Sequence, residues 1–339
     1  GLACALQPME TQMQGWFCDT PTGLDAIEWR EAATPTPGAG EVLIAVHAAS
    51  LNFPDLLTVQ DKYQVKPPRP FVPGSEFSGI VQAIGDGVNH LKVGDRVVSL
   101  GAWGGFATHA CVRAAQVLPL PSAISLDDGA AFMFTYGTSQ HALLDRAALR
   151  AGETVLVLGA AGGVGTAAIQ IAKAAGARVL AAASSAAKAQ WCTTLGADVA
   201  IDYGQQDLRE AVKAATQGRG PDVIYDPIGG ALAELAFRSI AWRGRYLVVG
   251  FASGPIPSLP FNIALLKGAS VMGVFWGDYV RREPKGFAAD IDQLARWYEQ
   301  GLVKPAIDVT LAMTELPRAY ARMTSRDVRG KILLRNAST

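Results

Sequence analysis

The sequence predicts an α/β protein in which a doubly wound parallel sheet is inserted into a second, irregular β unit. Two observations carry that class. From about Thr154 onward, short apolar runs begin near Val155, Arg178, Val199, Asp222, Arg245 and Ser270, about every 21 to 25 residues, and most intervening segments read as helices. Six strands alternating with helices form a parallel sheet covered on both faces. The first 135 residues differ: short runs such as Glu41 to Val46, Gly79 to Ala83 and Arg96 to Leu100 are separated by Pro, Gly and Asp, as in an irregular barrel or sandwich.

A chain of 339 residues is too long for one ordinary core, which also favours two domains. Half the residues are apolar and 18% are charged, the balance of a globular chain. Lys+Arg and Asp+Glu both number 30, and no basic run is present, which argues against a nucleic-acid partner. Cys4, Cys18, Cys111 and Cys192 are far apart and show no CxxC spacing, so free thiols in a reducing compartment and a cytoplasmic location are expected. No apolar run reaches the roughly 18 residues of a membrane span. Residues 1–12 read as a leader or an added remnant, because a plausible start methionine sits at Met13, and the fold is expected to begin near Gln14.

Along the first unit, Val93 to Val98 reads as a turn feeding a strand. In the parallel unit, Gly176 and Gly196 stand where helix C-terminal caps are expected, after Ala167 to Ala175 and after Ala186 to Leu195. Beyond the sixth run, Ser270 to Trp276, come a helical stretch from Pro284 to Gly301, an extended run Val303 to Leu311, a short helix Leu316 to Met323 and a final strand Gly330 to Leu334. This tail is expected to return to the first domain. The predicted domains are 13–135 with 283–339, and 136–282, with a ligand cleft between them.

Gly159, Gly162 and Gly165 recur at three-residue spacing between the first strand and its helix, with Gly163 and Val164 among them. Such a turn lets a pyrophosphate approach backbone N–H groups at the positive end of a helix. About twenty residues further on, an NAD site carries an Asp or Glu for the ribose 2′-hydroxyl. This chain has Ala182, Ala183, Ser184 and Ser185, with Lys188 close behind. Two hydroxyls and an ammonium favour a 2′-phosphate, hence NADP(H), unless Ser184 merely caps the next helix.

Leu51-Asn52-Phe53-Pro54-Asp55, Pro73-Gly74-Ser75-Glu76-Phe77-Ser78-Gly79, Gly94-Asp95-Arg96-Val97, the glycine turn, Leu195-Gly196-Ala197-Asp198 and Gly330-Lys331 together resemble the medium-chain dehydrogenase/reductase superfamily. Within it they resemble the zinc-free quinone oxidoreductase branch, which includes zeta-crystallin, and the resemblance extends from Gln14 to Arg335. The resemblance implies a GroES-like irregular β-barrel domain completed by the tail, a Rossmann domain, and NADPH in the cleft. It implies that Gly162, Gly163, Val164 and Gly165 hold the pyrophosphate, Ser184 and Lys188 the 2′-phosphate, and Tyr203 the adenosine end. Thr138, Gly250, Phe251 and Lys331 match positions near the nicotinamide half or the linking phosphates. Asn52 and Tyr63 match positions beside nicotinamide and substrate, where Asn52 could donate to an oxygen gaining charge and Tyr63 could orient a carbonyl or deliver a proton.

Zinc alcohol dehydrogenases of the superfamily place a Cys before the Asp of the first motif and a His in Gly-His-Glu. Here the motifs read Asn52-Phe53-Pro54-Asp55 and Gly74-Ser75-Glu76, so no metal is expected. The expected activity is metal-free reduction of a quinone by NADPH, by hydride or electron transfer. The alternative is an NADPH-dependent 2-alkenal or enoyl-thioester reductase with Tyr63 as proton donor, and a third reading is a non-catalytic NADPH-binding structural protein. Leu57 stands where some bacterial quinone reductases carry a Tyr, and the lost hydroxyl implies a more apolar or a larger acceptor. His47, His90, His109 and His141 form no metal or nucleophile pattern, although His141 follows Thr138 by one turn. The strand at 270–276 would be an apolar sheet edge, and the family pairs it with its copy, implying a homodimer.

Overall fold

A computed structural model describes residues 12–101, 103–325 and 327–337; the expectation for residues 1–12 lies outside these except at Gln12. The chain divides into two units, one up to Ala131 together with Ile307 onward, the other Phe132–Ala306.

The first unit contains β1 (Gln12–Phe17), β2 (Glu28–Ala33), β3 (Glu41–Leu51), β4 (Glu76–Ile84), β5 (Arg96–Leu100), β6 (His109–Arg113) and β7 (Val117–Pro119). Its helices α1 (Phe53–Val59) and α2 (Leu126–Gly129) are short. β3 is the organiser. β4 runs along one edge, while β6 pairs with Glu41–Ala45 and the returning C-terminal strand pairs with Ala48–Leu51 on the other. Register shifts at Leu43/Ile44 and Val46/Ala48 bend it, as extra residues in one strand of a pair do. The interior is lined by Val42, Ile44, Phe77, Phe106 and Tyr320, all nearly inaccessible.

The second unit holds α3 (Met133–Gln140), β8 (Thr154–Val157), α4 (Gly163–Ala174), β9 (Arg178–Ala183), α5 (Ala186–Thr194), β10 (Val199–Asp202), α6 (Leu208–Ala215) and β11 (Val223–Asp226). It continues with α7 (Gly230–Arg238), β12 (Arg245–Val248), α8 (Phe261–Lys267), β13 (Ser270–Gly273), α9 (Trp276–Arg282) and α10 (Pro284–Glu299). The all-parallel sheet has the order β10-β9-β8-β11-β12-β13. β8, β9 and β11 are apolar and buried along most of their length, as strands covered by helices on both faces must be. Ile307–Ala312 (β14), Leu316–Thr324 (α11) and Lys331–Arg335 (β15) then complete the first unit, β15 pairing with β3.

Two expectations need correction. The second unit extends to Ala306, beyond the expected boundary at 282. The reason is that α10 packs on α3 and α9, with Tyr298 edge-on to Phe132 and the Tyr279 hydroxyl 2.8 Å from the Asp290 carboxylate. The sixth strand stops at Gly273, short of Trp276. Trp276 begins α9, and its indole is buried over Gly137 of α3. Cys18, Cys111 and Cys192 are free thiols. Among the described residues no helix is long and apolar enough to cross a membrane.

Candidate active site

In the first unit, antiparallel pairing brings the end of β3 beside the starts of β4 and β15: Ser50 is opposite Glu76, and Leu51 is opposite Ile332. Four polar side chains, Ser50, Asn52, Glu76 and Lys331, therefore meet at one end of the sheet. Glu76 and Lys331 are almost wholly buried, 2% and 6% exposed, and the Lys331 ammonium lies 3.0 Å from Glu76 Oε1. The same oxygen accepts from Ser50 Oγ at 2.9 Å and from Asn52 Nδ2 at 3.2 Å. Lys331 Nζ also donates to Asn52 Oδ1.

Asn52 occupies the N-cap of α1, where an asparagine side chain ordinarily accepts from the helix's first N–H groups. Here the side chain is turned to Lys331 and Glu76, and the helix start is held from the other direction. Asp55 Oδ2 accepts the Asn52 backbone N–H at 2.7 Å, and Asp55 Oδ1 accepts that of Ser75 at 2.8 Å. The Tyr320 hydroxyl closes the base by donating to the Asp55 carbonyl at 3.0 Å. Complete burial pushes the Asp55 carboxyl up to about 7, although both N–H bonds and Lys331 oppose the shift. Tyr63 lies in the irregular segment after α1, half-buried, and its hydroxyl bonds to none of the described residues. Asn52 and Lys331 are thus joined; Tyr63 is not joined to either.

In the second unit the candidate cofactor residues lie at the C-terminal ends of five neighbouring strands. The glycine turn follows β8, Ser184 follows β9, Tyr203 follows β10, the Pro227–Gly229 turn follows β11, and Gly250 and Phe251 follow β12. The strand order reverses around β8, and ligands of doubly wound sheets bind in the crevice there. Helix α4 begins after Gly162 with no side-chain cap, leaving first-turn N–H groups for a ligand. The two key glycines differ. A Cβ on Gly165 would collide with the Gly159 carbonyl, whereas one on Gly162 would come no closer than 3.4 Å to any protein atom. Gly165 is thus required by the turn, and Gly162 keeps open the space before the helix.

The turn is braced from α3: Ser139 Oγ donates to the Val164 carbonyl at 2.9 Å and sits 2.8 Å from the Tyr225 hydroxyl. Thr138, the residue before it, has a buried Oγ1 with no partner among the described residues. Behind β9 the serines divide two tasks. Ser185 caps α5, accepting Lys188 N–H at 3.2 Å, while Ser184 is exposed and hydrogen-bonded with Tyr203, whose phenol pKa is raised by burial. The Lys188 ammonium pairs with no carboxylate among the described residues. The Phe251 ring lies against Gly229, in the turn that Asp226 Oδ1 holds through the N–H groups of Ile228 and Gly229 at 2.8 and 2.9 Å. His141 is engaged within the unit, stacked 3.8 Å from Tyr279 and 2.9 Å from Asp145.

Ser50, Asp55, Glu76, Ser139 and Tyr225 were not singled out as site residues from the sequence. An available signal was Asn52-x-x-Asp55 before an apolar stretch, a helix-start pattern whose Asp reaches back. A second was a Glu inside the strand-like Gly74 to Gly79 run, where a charge needs a buried partner.

Residues 38–122 match the model of the alcohol dehydrogenase GroES-like domain, and residues 163–296 that of the zinc-binding dehydrogenases. The chain is 38% identical over 306 residues to quinone oxidoreductase-like protein 2 of Bos taurus, spanning 90% of this chain and 88% of the relative. It is 33% identical over 317 residues to a quinone oxidoreductase of Pseudomonas aeruginosa, spanning 92% and 96%. A mycobacterial protein solved with NADPH superposes with a TM-score of 0.83 at 28% identity over 95% of this chain and 99% of that one. The fold and site define an oxidoreductase of the medium-chain dehydrogenase/reductase superfamily. Within it the chain belongs to the zeta-crystallin-like quinone oxidoreductase branch.

Proposed function

We propose that this protein reduces a quinone at the expense of NADPH, without a metal. The single observation that carries the reading is the Asn52 amide, held at the end of three strands with one Nδ2 hydrogen left over for a ligand.

NADPH supplies a hydride when bound. The α4 N-terminus with Gly162, Gly163, Val164 and Gly165 suits its pyrophosphate, and Ser184, Lys188 and Tyr203 suit its 2′-phosphate and adenosine end. The orphaned Thr138 hydroxyl, Gly250 and Phe251 suit the nicotinamide half. Asn52 donates to the quinone oxygen as it gains charge, a fixed donor doing what solvent would do less well. Lys331 is assigned here to Asn52 and Glu76 and away from the cofactor, since its ammonium already serves both.

A zinc ion does not suit these residues. Asp55 is committed to two backbone N–H groups, and an ammonium stands against Glu76, so the place a dication would need carries a positive charge. Among the described residues no group of three His, Cys, Asp or Glu gathers as a metal site. The exposed apolar side chains Val271, Phe275, Phe261 and Leu265, on and beside the edge strand β13, support a homodimer formed across that edge. One observation favours reduction of 2-alkenals or enoyl thioesters as a second reading: the Tyr63 hydroxyl, bonded to none of the described residues, could protonate carbon.

The test is a screen of NADPH oxidation with 1,2- and 1,4-quinones, enals and enoyl thioesters, for the native protein and Tyr63→Phe. Fastest turnover with quinones, scarcely altered by Y63F, is expected. Fastest turnover with enals or enoyl thioesters, sharply lowered by Y63F, would favour the second reading.

A further inference from the structure

We propose that Lys331 and Glu76 act as a pair of positioning residues that lock the Asn52 amide in one orientation and leave a single, polarised N–H to meet the substrate oxygen. The inference rests on the reading of Asn52 as the donor to the acceptor.

The orientation follows from valence. A lysine ammonium only donates, so the Asn52 atom facing Lys331 is the carbonyl oxygen; an ionised carboxylate only accepts, so the atom 3.2 Å from Glu76 Oε1 is the amide nitrogen. Reversing the amide would set its NH2 against an ammonium and its oxygen against a carboxylate. Two contacts thus exclude the flipped state, in which the amide would offer an electronegative oxygen to an acceptor gaining negative charge. An unrestrained asparagine at a helix N-cap would turn to its own helix; this one is held away from it.

The pair also tunes the donor. Lys331 withdraws charge from Oδ1 while Glu76 holds one Nδ2 hydrogen, and hydrogen-bonded chains of this kind polarise one another in a dry site. Glu76 and Lys331 are 255 positions apart in sequence and are brought together by β4 and β15 flanking β3. A buried ion pair is a weak source of stability compared with apolar residues of the same volume. Its presence at the one polar junction around Asn52 fits orientation better than stability.

The test uses the full chain. Because Lys331→Met alone strands a buried carboxylate, the variant of choice is the double substitution E76Q/K331M, with Lys331→Arg as the conservative control. The first readout needs no activity. Selective 15N labelling of asparagine side chains gives four amide groups, Asn52, Asn89, Asn262 and Asn336, and Asn52→Ala assigns the one of interest. In the native protein the Asn52 NH2 pair should be displaced and slow to exchange with solvent; E76Q/K331M should return it to the position and exchange rate of an unrestrained amide, and K331R should retain most of the displacement. The second readout is kinetic. kcat with a quinone should fall about 10-fold or more in E76Q/K331M, part of the ~10²–10³ that an oriented oxyanion donor supplies, with the NADPH Kd unchanged. The triple variant should fall no lower than Asn52→Ala alone, so that E76Q/K331M costs nothing in the absence of the Asn52 amide. An Asn52 resonance indifferent to E76Q/K331M, or fully additive losses, would overturn the proposal. If N52A alone leaves every acceptor's kcat unchanged while the resonance responds as described, the lock stands and the role assigned to Asn52 is what fails.

Discussion

The Ser185 hydroxyl accepts the Lys188 N–H at 3.2 Å and so caps α5, which releases the neighbouring Ser184 to bond with Tyr203. Two adjacent serines that look interchangeable in sequence thus have separable roles. Ser185→Ala should lower stability by about 1 kcal/mol, as loss of an N-cap does, and leave the NADPH-to-NADH preference intact. Ser184→Ala and Lys188→Ala should instead raise the KM for NADPH several-fold and leave that for NADH alone. Steady-state kinetics with both cofactors, beside urea unfolding, separates the two.

The glycines at the start of α4 should separate in the same way. Gly165→Ala meets the Gly159 carbonyl and should destabilise by several kcal/mol or abolish soluble protein. Gly162→Ala finds no protein atom closer than 3.4 Å and should cost no more than about 1 kcal/mol, the amount by which Ala is the poorer N-cap. Its effect should appear as weaker NADPH binding in a fluorescence titration.

Asp55 predicts a pH dependence of stability. Burial raises its folded pKa from 3.8 to about 7, so between those values the folded state holds more of this proton than the unfolded state does. The Asp55 contribution therefore falls as pH rises from about 4 to about 7 and levels off above. Comparing urea unfolding of the native protein and Asp55→Asn across that range should show a native curve that declines relative to the variant. Parallel curves would show that Asp55 does not titrate there.

The brace behind the glycine turn makes a further prediction. Ser139→Ala removes the donor to the Val164 carbonyl and a partner of the buried Tyr225 hydroxyl. A cost of about 1–3 kcal/mol is expected from the stranded groups, together with weaker NADPH binding, because the α4 N-terminus loses its support. Tyr225→Phe should be milder, since the Ser139–Val164 bond remains.

The alternation of apolar runs and helices was legible because a parallel sheet buries both faces of its strands: each of the six expected starts in that sheet lies within one residue of the observed one, whereas β4 and β14 of the first unit begin three and four residues from the runs read there. The limits of local reading show at Trp276, which continues an apolar run but leaves the sheet to pack on Gly137. They show again at α10, whose assignment to the second unit depends on Tyr298 meeting Phe132, a partner far away in sequence. For the candidate site, the glycine turn and Ser184 come from motif and spacing, and Asn52 from the family resemblance alone. The service of Lys331 to Asn52 could not, because it depends on β15 returning beside β3 across most of the chain. Nor could the cap be assigned between Ser184 and Ser185, since either hydroxyl precedes α5.

The most direct measurement is NADPH oxidation by a 1,4-quinone catalysed by the native protein and by Asn52→Ala, with NADPH affinity determined separately. Turnover by the native protein, a kcat lowered about 100-fold by N52A and an unchanged NADPH Kd are predicted. Tight NADPH binding without quinone reduction, or equal kcat in the two proteins, would contradict the account.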